Sequence, residues 1–120
     1  MKEISEATWF TEVTCSSTPV AVHFYAEWSP ASREIECMLE RYEQRFAGKI
    51  KFVKINIDTN EAVRIANRII APPTLIIYYK GIPVNGVPGP QPEWVYENRI
   101  LRAIRLYERR LKNIMTNRRR

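Results

Sequence analysis

Two cysteines, one histidine and no apolar run long enough for a membrane span are the scarcities of this 120-residue sequence. Cys15 and Cys37 are too few for a disulfide framework and too far apart for a Cys-x-x-Cys pair or a zinc site. They read as buried thiols acting as small apolar side chains. His23 is the only imidazole, so a Cys/His metal cluster is excluded by count, and no metal or cofactor is expected. A transmembrane helix needs ~18 to 20 consecutive apolar residues. The opening MKEISEATWF lacks the basic, then apolar, then small-residue order of a secretory leader. These absences point to a soluble, cytoplasmic protein. No repeat, low-complexity tract or linker divides the chain, and its length suits one core.

Acidic residues are scarce at one end only. From Arg99 onward nine Lys/Arg face the single acid Glu108, an excess larger than the net charge of +6 of the whole chain. Residues 1–98 are therefore net acidic, and the basic character belongs to the C-terminal segment.

VAVHFYA (20–26) is almost continuously apolar and β-branched or aromatic, the pattern of a strand covered on both faces. Arg33 to Phe46 places Ile35, Met38, Leu39, Tyr42 and Phe46 at spacings of three and four, which predicts an amphipathic helix ended by Gly48. KIKFVKINID (49–58) alternates as a strand, and NEAVRIANRI (60–69) predicts a helix with Ala62, Ile65, Ala66 and Ile69 on one face. TLIIYY, a turn at Lys80-Gly81 and a second short strand predict a hairpin, and the pattern is helical from Pro92. KEIS reads as an edge strand, followed by a short helix capped by Ser5 or Thr8 and carrying Ala7, Trp9, Phe10 and Val13. The order predicts an α/β fold: a central mixed sheet of four to five strands flanked by helices, with an extended basic C-terminal helix.

At this point VHFYAEWSPASREIECMLERY, KFVKINIDTN, APPTLIIYYKG and Gly89 resemble the thioredoxin family over roughly residues 4 to 106. The spacings among Trp28, Lys54, Asp58, Pro73, Gly81 and Gly89 fit that family without a gap. Residues 1–106 are accordingly expected to form a thioredoxin-like domain and 107–120 a basic helical extension and tail. The resemblance implies an active turn of Trp-Cys-Gly-Pro-Cys-Lys, where this chain reads Trp28-Ser29-Pro30-Ala31-Ser32-Arg33. Thiol-disulfide exchange requires a thiolate that forms a mixed disulfide, which a serine hydroxyl does not provide. Oxidoreductase activity by the family mechanism is therefore not expected, and no residue is assigned a catalytic role.

The same resemblance marks further departures. His23 stands where the family has a buried Asp, and it reads as a neutral, hydrogen-bonded core histidine; Lys54 then has no anion to pair with. Pro73 matches the family's cis-proline, but it follows Pro72, which has no N–H to offer an extended peptide. Cys37 replaces a kinking proline. Ser29 and Ser32 read as helix N-caps rather than nucleophiles, because an activated serine needs a base and an orienting group.

Two surfaces remain for function. One is the vestigial active-site face: Trp28, Pro30, Ala31, Pro72, Pro73, Val87 and Pro88. The other is the last helix, where Ile100, Ile104, Tyr107, Leu111 and Ile114 form one apolar stripe that outruns the sheet, flanked by Arg102, Arg105 and Arg109, with NRRR as a flexible cationic tip. These point to a redox-inactive adaptor, scaffold or assembly factor that binds a protein with an acidic or mixed apolar-acidic surface. A basic subunit of a nucleic-acid assembly is the alternative, though base-stacking aromatics are missing from the tail. A residual thioredoxin-related enzyme ranks last.

Overall fold

In the computed structural model, which describes residues 1–118, the apolar run forms strand β2 (Val20–Tyr25), and all six of its side chains are buried. It lies at the centre of one five-stranded sheet ordered β1-β3-β2-β4-β5. The other strands are β1 (Lys2–Ile4), β3 (Lys51–Asn56), β4 (Thr74–Tyr79) and β5 (Ile82–Pro88). β3 runs parallel to both β1 and β2, whereas β4 is antiparallel to β2 and β5 antiparallel to β4. The β4–β5 hairpin turns through Lys80 and Gly81, both at positive φ (53° and 81°), the geometry that matches the strand twist.

Alternation along β2 divides the core into two layers. On one face Ala21 joins Leu39, Tyr42, Phe52, Ile77 and Ile100 beneath α1 (Pro30–Arg45) and α3 (Glu93–Arg118). On the other, Val20, Val22 and Phe24 meet Val13, Val53, Ile55 and Tyr78. That layer is closed by α2 (Glu61–Ala66), a 3-10 turn (Glu6–Thr8) and a π-helical turn (Phe10–Thr14). The Glu12 carboxylate accepts from Lys2 and from Lys51 (2.5 Å); its pKa falls to about 2, with the Lys2 bond the largest cause. This ties the edge strand and the π-helical turn to β3.

Three expectations are corrected here. α1 starts three residues early, because Ser29 caps it and Pro30 occupies the first helical position, where its missing N–H is harmless. The predicted face of α2 is buried only at Ile69, just past the end of the helix: Ala62, Ile65 and Ala66 are exposed, and Val63 turns inward instead. Asn67 fastens the end of this helix to the core: its Nδ2 donates to the Val63 carbonyl (2.8 Å) while its Oδ1 accepts from the buried Tyr78 hydroxyl (2.5 Å). Both cysteines are exposed, not buried. Cys37 falls on the outer side of α1 because Ile35, Met38, Leu39 and Tyr42 occupy the inner side, and Cys15 ends the π-helical turn.

α3 is pinned to α1 by Glu93, which accepts from Arg41 (3.0 Å) and the Tyr42 hydroxyl (2.9 Å), and by Glu97, which accepts from Arg45 (2.6 Å). Its inner turns bury Tyr96, Ile100, Ala103 and Ile104. Tyr107 makes an edge contact with Tyr79 (5.5 Å between centroids), and beyond it the stripe is exposed at Leu111, Ile114 and Met115. Arg119 and Arg120, part of the expected cationic tip, lie outside the described residues.

Replacing Ile100 by Ala should therefore cost about 2 to 5 kcal/mol of stability by leaving a core cavity. Leu111→Ala should cost under about 0.5 kcal/mol. Urea unfolding of both variants checks this, and equal losses would show that the outer turns are packed as tightly as the inner ones.

Candidate functional site

The chain leaves the centre of the sheet at Tyr25, turns through residues 26–29 and enters α1. Ser29 Oγ accepts from the Ser32 N–H (3.2 Å), as expected of an N-cap. Ser32 is not a cap. It is buried inside the first turn of α1, and its Oγ accepts from the Ala26 N–H (3.4 Å). Both hydroxyls are thus engaged by backbone amides, and neither is hydrogen-bonded to His23, so no serine-base pair is assembled.

His23 is 1% exposed. The expected hydrogen bonds are absent: neither Nδ1 nor Nε2 has a partner. The physical reason is its position on a fully buried strand, facing the ring of Tyr25 (5.9 Å between centroids) rather than a polar group. Burial above all, and the Lys54 cation after it, hold its pKa down to about 4, against the opposing pull of Glu36. Lys54 does have an anion, contrary to expectation: its Nζ donates to Glu36 Oε1 at 3.0 Å. Glu36 lies on α1, one turn past Ser32, at a position the family likeness did not mark. Tyr25, Ser32, Glu36 and Lys54 line a cleft of about 330 Å³ beside this ion pair.

The apolar face is assembled in part. Trp28 is 66% exposed, and its indole is fixed by Nε1 donating to Asp58 Oδ2 (2.9 Å). With Pro72, Ile57 and Ala71 it lines a hollow of about 380 Å³, and the Pro72-Pro73 bond is cis. Pro88 lines a second hollow of about 550 Å³. Ile70 and Ala71 border both. Val87 also lines this second hollow, although it is 1% exposed and packs mainly into the core layer under α3. Pro73 is likewise buried, and Pro30 and Ala31 border neither hollow. Sequence reasoning missed Ile70, which is 97% exposed, because it lies between the predicted helix and the APP motif and belongs to neither.

Tyr107, Leu111 and Ile114 lie along one side of α3. Arg102, Arg105 and Arg109 instead line a cleft between α3 and β5. Among the described residues no helix is long and apolar enough to cross a membrane, and no group of three His, Cys, Asp or Glu is placed to hold a metal ion.

A mixed five-stranded sheet flanked by helices, with this turn and a cis-proline, defines a thioredoxin-like α/β chain. The family model "Thioredoxin" matches residues 1–101, and the chain belongs to the thioredoxin family. It is 38% identical over 103 residues to "Thioredoxin M4, chloroplastic" of Arabidopsis thaliana, an alignment covering 84% of this chain and 52% of that protein. It is 29% identical to "Thioredoxin M3, chloroplastic" of Oryza sativa subsp. japonica, covering 86% of this chain and 59% of that protein. Against "Thioredoxin 1" of Nostoc sp. identity is 35% over 91 residues, covering 76% of this chain and 85% of that protein. The chain thus spans between half and three fifths of the two chloroplastic relatives. Bacterial and chloroplastic names together do not single out the cytoplasm.

His23 makes stability depend on pH. Its folded pKa, about 4, lies below the ordinary imidazole value of 6.5, so the unfolded chain binds a proton that the folded chain does not. Stability is full above pH 6.5 and falls as pH drops toward 4, by up to about 3 kcal/mol. Urea midpoints measured across this window should fall for the wild type and stay flatter for His23→Leu. Parallel profiles would remove His23 as the cause.

Proposed function

We propose that this thioredoxin-family chain is a redox-inactive adaptor, scaffold or assembly factor that docks a protein partner through the outer turns of α3. The observation that carries this reading is the exposure of Leu111 (40%), Ile114 and Met115 on a helix whose inner turns the sheet already covers. An amphipathic helix that continues past its own core presents a ready anchor for a groove in another protein. Arg110 beside that stripe favours a partner with acidic groups at its rim. The hollows around Trp28, Ile70, Pro72 and Pro88 offer a second apolar contact.

Redox inactivity follows from the chemistry of positions 29 and 32. A hydroxyl does not form the mixed disulfide that dithiol exchange passes through. Here both hydroxyls also serve the backbone. Cys15 and Cys37 sit on separate elements and are both unpaired.

Two measurements test the proposal. Insulin disulfide reduction should stay at background with the purified chain, and sustained turnover would overturn the redox-inactive half. Leu111→Ser/Ile114→Ser should lose a partner that copurifies with the wild type while melting within a few degrees of it. Undiminished copurification would overturn the docking half.

A further inference from the structure

The side of α3 opposite the apolar stripe carries a pattern of its own. Trp94, Asn98, Arg102, Arg105, Arg109 and Lys112 recur at spacings of three and four, which places them in one row, and all six are exposed. At ~1.5 Å per residue the row is about 27 Å long. A cleft of about 530 Å³ runs between this flank and β5, lined by Val84, Asn85, Arg99, Arg102, Arg105 and Arg109 among others, with no carboxylate in its walls.

Among the described residues no carboxylate neutralises these arginines. The two acids on the inner turns of α3, Glu93 and Glu97, are held by Arg41 and Arg45 of α1. Among the described residues none of Arg99, Arg102, Arg105 and Arg109 forms an ion pair. The helix dipole does not account for them either, since it favours cations only within the last turn. These four stand roughly two to five turns from that end. Four like charges around one cleft repel one another until an anion enters.

The nature of the anion is indicated by Trp94. Its side chain is 67% exposed on the first turn of α3, in line with the arginines. It is the aromatic that the basic tail itself lacks.

We propose that this face binds single-stranded nucleic acid, with Arg102, Arg105 and Arg109 on successive phosphates and the Trp94 indole stacked on an unpaired base. Guanidiniums fork onto phosphate oxygens in a way ammonium groups do not. Their steps of about 4.5 and 6 Å along the helix axis let neighbouring arginines follow one strand. A stacking platform next to a cationic groove is the arrangement by which single strands are held without sequence preference. An acidic peptide would satisfy the arginines but give the indole no planar partner. An anionic membrane would require bulky apolar residues along the same row, where Trp94 stands alone. This inference goes beyond the adaptor reading and uses the opposite side of the helix.

The test is fluorescence anisotropy of short labelled oligo-dT and oligo-U with the full chain. With three phosphate contacts, affinity should fall roughly 20-fold between about 50 and 200 mM salt. Arg102→Glu/Arg105→Glu/Arg109→Glu should abolish binding. Trp94→Ala should weaken it roughly tenfold with the salt slope unchanged, and Trp94→Phe should recover most of that loss. Leu111→Ser/Ile114→Ser should bind as the wild type, which separates this outcome from failure of the adaptor reading. Salt-independent or undetectable binding would overturn the proposal. So would a Trp94→Ala variant that binds like the wild type, or polyglutamate or anionic vesicles competing as well as the oligonucleotide.

Discussion

Strand β2 has no solvent-facing side, and much of the molecule follows from that constraint. Its six residues are covered above by α1 and α3 and below by α2 and the N-terminal turns, so both layers of the core meet on it. A polar side chain placed there is shut away from bulk solvent. His23 is that side chain, and it remains neutral because charging it would place an imidazolium in an apolar layer beside Lys54. The Lys54–Glu36 pair stands at the edge of the same layer, where water from the adjoining cleft reaches it. The strand also fixes where the chain must emerge, and the turn holding Ser29 and Ser32 is closed by their own hydroxyls.

The sheet covers only part of α3. Burial ends near Tyr107, yet the helix continues through Arg118. The outer turns present an apolar side at Leu111 and Ile114 and a cationic side at Arg109 and Lys112. An exposed helix of this length is marginal in isolation. Here it is held because its inner turns are clamped by Glu93 and Glu97 to α1 and by burial to the sheet, so the free turns extend an already nucleated helix. The same clamp sets the direction in which both sides project.

The hydrophobic periodicity made the architecture legible. The two-sided burial of VAVHFY, the amphipathic face of α1 and the Lys80-Gly81 hairpin all read directly from residue type and spacing. Less legible was anything that depended on one side chain finding a distant partner. Glu36 reaches Lys54 across 18 positions, and Asp58 fixes Trp28 across 30. Asn67 accepts from Tyr78 across 11 positions, a bond that periodicity alone does not encode. Cysteine burial was misread for a related reason: residue type gives a tendency to be inside, while position on the helix decides it. For the site itself, Trp28 and Pro72 were recognisable by likeness to the family, whereas Ile70 and the alignment of Trp94 with the arginines needed coordinates.

One recognition mode is disfavoured by proline placement, which bears on how any partner is held. An extended peptide adds to a sheet through N–H and C=O groups on a free edge. The chain has two edges. β1 is three residues long, and β5 carries Pro83 and Pro88, which contribute no N–H. Pro72 likewise has no donor on the Trp28 face. Backbone-led docking is therefore weak at each place where the fold would otherwise allow it. On the proposed docking, recognition falls to exposed side chains, which lie on α3 and around Trp28, Ile70 and Pro88. A surface of that kind discriminates by shape and charge, so substitutions at single exposed side chains, rather than changes in the sheet, are where specificity should be altered.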